Sequence, residues 1–145
     1  MINYTNGNEE RILAIDYGLK RVGLALTDPL QILAYPFKTI PNDAGFWNNL
    51  KSIVAENNVK TIVLGYPLNS DGSRSEMTAV VEEFRISLEK NLNLPVILHD
   101  ERYTSELAKE NVIRSVTSKK KRRDKGLIDQ NAAAIMLREY LDESK

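Results

Sequence analysis

The chain has no cysteine, which excludes both a disulfide framework and a thiolate-held zinc site. That absence fits the cytosol, and a cytoplasmic protein is the expectation. No apolar run approaches the ~20 residues that a membrane-spanning helix needs, so no contact with a membrane is expected. Met1 to Arg11 is polar and carries no signal-peptide pattern; residues 1–10 read as a loose tail ahead of a single domain, 11–145. Net charge is also missing. Twenty basic and twenty acidic residues cancel, so no global field steers the protein toward nucleic acid. There is one histidine, His99. A lone histidine is more often structural or solvated than catalytic, and it is not assigned as a base.

What is present suits one domain with one core: 145 residues, 42% of them hydrophobic. Arg11–Asp16 and Val22–Thr27 read as two strands of a hairpin joined by Tyr17–Arg21. Ile32–Ile40 is a possible third strand, with Pro36 pointing to an edge or a break. From Asn42 to Asn58, the spacing of Phe46, Trp47, Leu50, Ile53 and Val54 predicts a helix, with Asn42 or Asp43 as its cap. The two aromatics there read as core rather than as base-stacking platforms. Lys60–Gly65 is a short apolar run, as in a central parallel strand. A second helix is expected over Ser75–Asn91, a last strand over Pro95–Leu98, and further helices over Thr104–Val116 and Ile128–Leu141. This order predicts an α/β fold. Its core is a mixed five-stranded sheet of three hairpin-linked strands and two parallel ones, with helices on its faces.

Charge is concentrated in one place. Between Arg114 and Lys125, seven basic residues face Asp124 alone. Lys119, Lys120, Lys121, Arg122, Arg123 and Lys125 there read as a mobile loop able to neutralise phosphates without reading sequence. Lys20 and Arg21 in the first turn could contact phosphates or blunt a strand edge. Arg74 could hold a phosphate near a helix start or be an exposed loop residue. Gly18 and Gly23 read as serving backbone geometry, and Gly65 as a tight strand exit.

Three carboxylates stand at the ends of elements. Asp16 closes an apolar strand, Glu101 follows the last strand beside Asp100 and Arg102, and Asp129 opens the final helix. Each has an ordinary reading by itself: a turn aspartate, a solvated ion pair, a complement to the helix dipole. Together at one end of a sheet they would repel one another unless cations joined them. An oxygen-only set suits Mg²⁺ or Mn²⁺. Two such ions ~4 Å apart can activate water and stabilise a leaving oxygen in phosphodiester hydrolysis. The residues allow this chemistry without singling it out.

Four segments carry more. Ile15–Ala25, Val63–Gly72, Asp100–Ser105 and Lys125–Ala133 resemble, in order, the four blocks of the YqgF family, also called RuvX. The resemblance extends from Arg11 to about Leu141. Tyr103 stands where the family usually has leucine, and His99 precedes the Asp-Glu-Arg block; no acidic position is lost. The resemblance implies an RNase H-like fold related to the RuvC resolvases. It also implies catalytic and metal-ligand roles for Asp16, Glu101 and Asp129, with Mg²⁺ or Mn²⁺ as cofactor. The substrate it implies is either the 5′ end of precursor 16S ribosomal RNA or a four-way DNA junction. A junction has two equivalent strands and would favour a homodimer over a monomer. Arg102 would orient Glu101 or the substrate. A non-enzymatic alternative is a nucleic-acid or ribosome-binding factor. An actin-like kinase would need two domains, for which the chain is too short.

The charge run generates a prediction. Replacing Lys119, Lys120, Lys121, Arg122 and Arg123 with serine should weaken nucleic-acid binding and flatten its salt dependence. The log–log slope should fall by about 0.7 to 0.9 for each lost phosphate contact. Thermal stability should move by no more than about 0.5 kcal/mol per site. Binding across a salt series checks this; an unchanged affinity and slope would leave the stretch as a solvated connector.

Overall fold

The computed structural model of the chain describes residues 9–101 and 125–144, with Lys125 as backbone only. Arg102, the expected helix Thr104–Val116 and the basic run Lys119–Arg123 lie outside the described residues, as do residues 1–8. Apolar stretches rich in isoleucine, leucine and valine become the strands β1 (Arg11–Asp16), β2 (Arg21–Thr27), β3 (Ala34–Pro41), β4 (Val59–Tyr66) and β5 (Val96–Asp100). They form one sheet in the order β3-β2-β1-β4-β5. The first three are antiparallel neighbours, and β1, β4 and β5 run parallel. Pro36 sits on β3, an edge strand, beside a register shift opposite Leu24 and Ala25. There its missing N–H costs no interior ladder bond.

Alternation along the strands sorts side chains to two faces. Leu13, Ile15, Val22, Leu24, Leu26, Ile62 and Leu64 face helices α1 (Phe46–Glu56) and α2 (Glu76–Leu92), meeting Phe46, Leu50, Ile53, Val81, Phe84 and Leu88. Phe46 is buried and Trp47 packs against Phe84, so both aromatics belong to this core. The first helix is shorter than its pattern suggested. Residues 42–45 form a turn in which the Asp43 carboxylate accepts from the Gly45 N–H at 2.9 Å. The second helix starts as expected at Ser75. The Ser75 N–H donates to Thr78 Oγ1 at 2.8 Å, and the buried Thr78 hydroxyl donates to the Pro67 carbonyl. That bond ties the loop after β4 to the helix.

The opposite face is covered by α3 (Lys125–Glu143). Here the sheet presents Ile12, Ala14, Ala25, Ala34 and Val63, and the helix presents Ala133, Ala134, Met136, Leu137 and Leu141. Small residues on both sides let the helix axis lie close to the sheet. Thr39 Oγ1 donates to the Gly126 carbonyl at 2.6 Å, anchoring the amino end of α3 over β3. Among the described residues, no helix is long and apolar enough to cross a membrane.

Candidate active site

The parallel strands end together. Ile15 pairs with Leu64, Leu64 with Leu98, and Tyr66 with Asp100, so the carboxyl ends of β1, β4 and β5 form one edge. The two carboxylate-bearing strands flank β4. Alternation then selects one face. Asp16 follows Ile12 and Ala14 on the side of α3, and Gly65 follows Val63 there. On β5 the His99 ring meets Glu139 of α3 at 3.0 Å, so Glu101, two residues on, returns to the same side. Asp100, between them, is exposed.

Two glycines make room for the carboxylates. A Cβ at Gly65 would lie 2.9 Å from Glu101 Cδ and collide with its carboxylate oxygen. A Cβ at Gly23, the register partner of Asp16, would lie 2.8 Å from Asp129 Cβ and strike the Asp129 backbone. Neither glycine has positive φ; among the described glycines only Gly72 does. Their role is close approach, where the sequence suggested backbone geometry for Gly23 and a tight strand exit for Gly65.

Asp16 and Glu101, both partly buried, share a side-chain hydrogen bond. Burial holds the Asp16 carboxyl well above its usual range, and the charges of Glu101 and Asp129 push it further; Arg21 opposes them. Burial also raises Glu101, assisted by the Asp100 charge, while its bond with Asp16 and the nearby His99 act the other way. A carboxylate pair this close favours one shared proton or a cation.

Asp129 joins them electrostatically, but its carboxylate is engaged elsewhere. Arg21 Nε donates to Asp129 Oδ2 at 2.6 Å. Sequence reasoning placed Asp129 in the first turn of its helix. The helix starts at Lys125, no acidic residue lies in its first turn, and the dipole-complement reading therefore fails. Among the described residues, no three acidic or histidine side chains are gathered tightly enough to ligate one ion as they stand. Asp16, Lys20, Arg21 and Asp129 border an open cleft of about 410 Å³.

The other expected contacts are spread around this edge. Lys20 is exposed in the first turn. Arg74 is exposed and held by Glu82, with Nη1 2.9 Å from Oε2 and 3.4 Å from the Tyr66 hydroxyl. His99 is 7% exposed and structural in setting, between β5 and the α3 carboxylates Glu139 and Glu143. Arg102, Lys119, Lys120, Lys121, Arg122 and Arg123 lie outside the described residues, and Lys125 is described only in its backbone.

Comparison with known proteins gives consistent results. The sequence profile of the RuvX family, described as Holliday junction resolvase, matches residues 10–143. A Prosthecochloris aestuarii protein provisionally named pre-16S rRNA nuclease is 40% identical over 97% of this chain and 99% of its own length. One from Amoebophilus asiaticus with the same name is 40% identical over 93% and 96%. Among solved structures, Thermus thermophilus RuvC with a Holliday junction substrate superposes with a TM-score of 0.53 at 14% identity, covering 93% of this chain and 95% of that one. The fowlpox virus resolvase in complex with junction DNA gives 0.57 at 13% identity, covering 92% and 98%. At such identities these two establish the fold, which is RNase H-like as expected.

The paired carboxylates have a consequence for stability. In the folded state they retain protons that the unfolded chain has already released, because their folded pKa values are raised. Stability must then fall as pH rises from the ordinary carboxylate range through the raised values. Asp16→Asn removes the repulsion. In chelator at pH 7 it should melt above wild type, by about 2–4 °C for each kcal/mol relieved, and the gap should close as pH falls. Thermal melts across a pH series check this; a lower melting point at every pH would contradict it.

Proposed function

The chain belongs to the RuvX family, and on that premise we propose that it is a divalent-metal-dependent endonuclease acting through Asp16, Glu101 and Asp129. The observation that carries this reading is the convergence of three carboxylates at the carboxyl edge of the sheet: Asp16 ends β1, the Glu101 carboxylate lies over Gly65 of β4, and Asp129 rests on Gly23, the register partner of Asp16. The donor set fits a hard cation: it is all oxygen, partly buried and short of positive charge. Mg²⁺ or Mn²⁺ held there would activate water for attack on phosphorus and neutralise charge on the leaving 3′ oxygen.

The chain's own residues do the positioning. Asp16 and Glu101 are fixed by the parallel strands on either side of β4, and Asp129 by a helix seated on Gly23. Lys20 and Arg21 border the cleft and supply positive charge for a phosphate backbone, assisted by Arg102 and by the basic run from Lys119 to Lys125. Arg74 would have to leave Glu82 to take part. The substrate we assign is precursor 16S ribosomal RNA, cut near its 5′ end in the cytoplasm. It is favoured by the names of relatives about 40% identical over nearly the whole chain. The family description favours a second reading, a four-way DNA junction, for which a homodimer would be needed.

A cleavage panel tests the assignment: precursor ribosomal RNA, single-stranded RNA and four-way DNA junctions, each with Mg²⁺, Mn²⁺ or chelator. Cleavage of the precursor with either ion and none in chelator is expected; cleavage of the junction alone would move the assignment to the second reading. Folded Asp16→Asn and Glu101→Ala proteins should lose more than about 100-fold in rate, beyond the range of groups that merely support a ligand. Asp100→Ala should lose far less. Wild-type cleavage by folded Asp16→Asn would remove the carboxylate site from the account.

A further inference from the structure

Arg21 and Asp129 meet across 108 positions of sequence, Nε to Oδ2 at 2.6 Å, with side chains 34% and 22% exposed. The pair is specific in its construction. Arg21 stands on β2 two residues before Gly23, so it shares the face that α3 covers. The Asp129 backbone rests directly on Gly23, which fixes where its side chain starts. The Arg21 charge also acts on Asp16, against the charges of Glu101 and Asp129. Arg21 therefore brings positive charge to two of the three carboxylates assigned above to a cation.

We propose that Arg21 is a built-in counter-ion that competes with the divalent cation for Asp129. Cation binding takes the Asp129 carboxylate from Arg21 and frees the guanidinium for a substrate phosphate in the adjoining cleft. This rests on the reading of Asp16, Glu101 and Asp129 as a cation site. The Asp129 backbone is held by its contact with Gly23, so the exchange is one of side-chain partners. It also explains why the three carboxylates are not gathered as a ready ligand set: the third is occupied. Arginine suits the role on both sides of the exchange. Its planar fork pairs with carboxylate and phosphate alike, and it keeps its charge at any physiological pH. Arg21 is thus a positioning residue in the metal-free protein and a phosphate contact after the exchange. Substrate affinity on this edge of the cleft becomes linked to the presence of the ion.

The experiment is a Mn²⁺ titration, followed by calorimetry, of the full chain as wild type, Arg21→Gln, Arg21→Lys, Asp129→Asn and the Arg21→Gln/Asp129→Asn double variant, with a thermal melt of each to establish folding. Removing a competing ion pair of partly exposed partners should tighten Mn²⁺ binding by about 2- to 5-fold in Arg21→Gln. Arg21→Lys keeps the competing charge and should stay within about two-fold of wild type. In the Asp129→Asn background the gain from Arg21→Gln should disappear, because competition requires both partners. Equal or weaker Mn²⁺ binding by Arg21→Gln would overturn the proposal, since Arg21 would then be presenting Asp129 to the ion. A gain that persists in full without Asp129 would also overturn it, as a general field effect. If wild type binds no Mn²⁺ at all, the cation site itself fails, and the proposal with it.

Discussion

The Asp16 and Glu101 carboxyls meet at a partly buried sheet edge, and the rest of the site follows from their mutual repulsion. A carboxylate pair in a partly desolvated place needs a proton, a guanidinium or a metal ion. Arg21 answers part of the need from β2, but it does so through Asp129 and its field at Asp16 rather than by bonding the pair itself. The sheet edge is left electrostatically unfinished, which is the condition under which an incoming cation and a phosphate backbone bring net stabilisation.

The fold imposes this arrangement by simple geometry. Parallel strands β1, β4 and β5 place their carboxyl ends at one edge, and alternation turns Asp16, Gly65 and Glu101 to one face. The covering helix approaches closely because alanines on both sides, with Gly23 and Gly65, punctuate the larger residues of the interface. Gly65 opens space for the Glu101 carboxylate and Gly23 for the Asp129 backbone. Side chains at those two positions would add apolar contact but would displace the groups that carry the chemistry. The glycines on this face serve the site rather than the core.

Much of this was legible in the sequence. The strands are continuous apolar runs, and a carboxylate ending such a run lies at a strand end, so the place of Asp16 and of the Asp100–Glu101 pair could be read; their chemistry could not, and only the family resemblance favours Glu101 over Asp100. The edge-or-break reading of Pro36 and the start of the second helix at Ser75 also followed from local chemistry. The start of the last helix did not. Lys125-Gly126-Leu127 carries no helical pattern of its own, and the first turn forms on the support of tertiary contacts such as Thr39 to the Gly126 carbonyl. Asp129 consequently read as a first-turn residue. The Arg21–Asp129 bridge was illegible for a different reason. The sequence put Arg21 in the turn, whereas the structure makes it the first residue of β2, and nothing local identifies a partner 108 residues away. The glycine roles were hidden likewise, since close approach depends on which element packs above.

The central claim is that Asp16, Glu101 and Asp129 form one cation site from which Arg21 is displaced. Anomalous scattering from crystals soaked in Mn²⁺ tests it most directly. Manganese is expected on carboxylate oxygens of Asp16, Glu101 and Asp129, at the ~2.0–2.2 Å typical of small hard cations, with the Arg21–Asp129 bridge broken. Manganese elsewhere on the surface, or bound at the edge with that bridge intact, would contradict it.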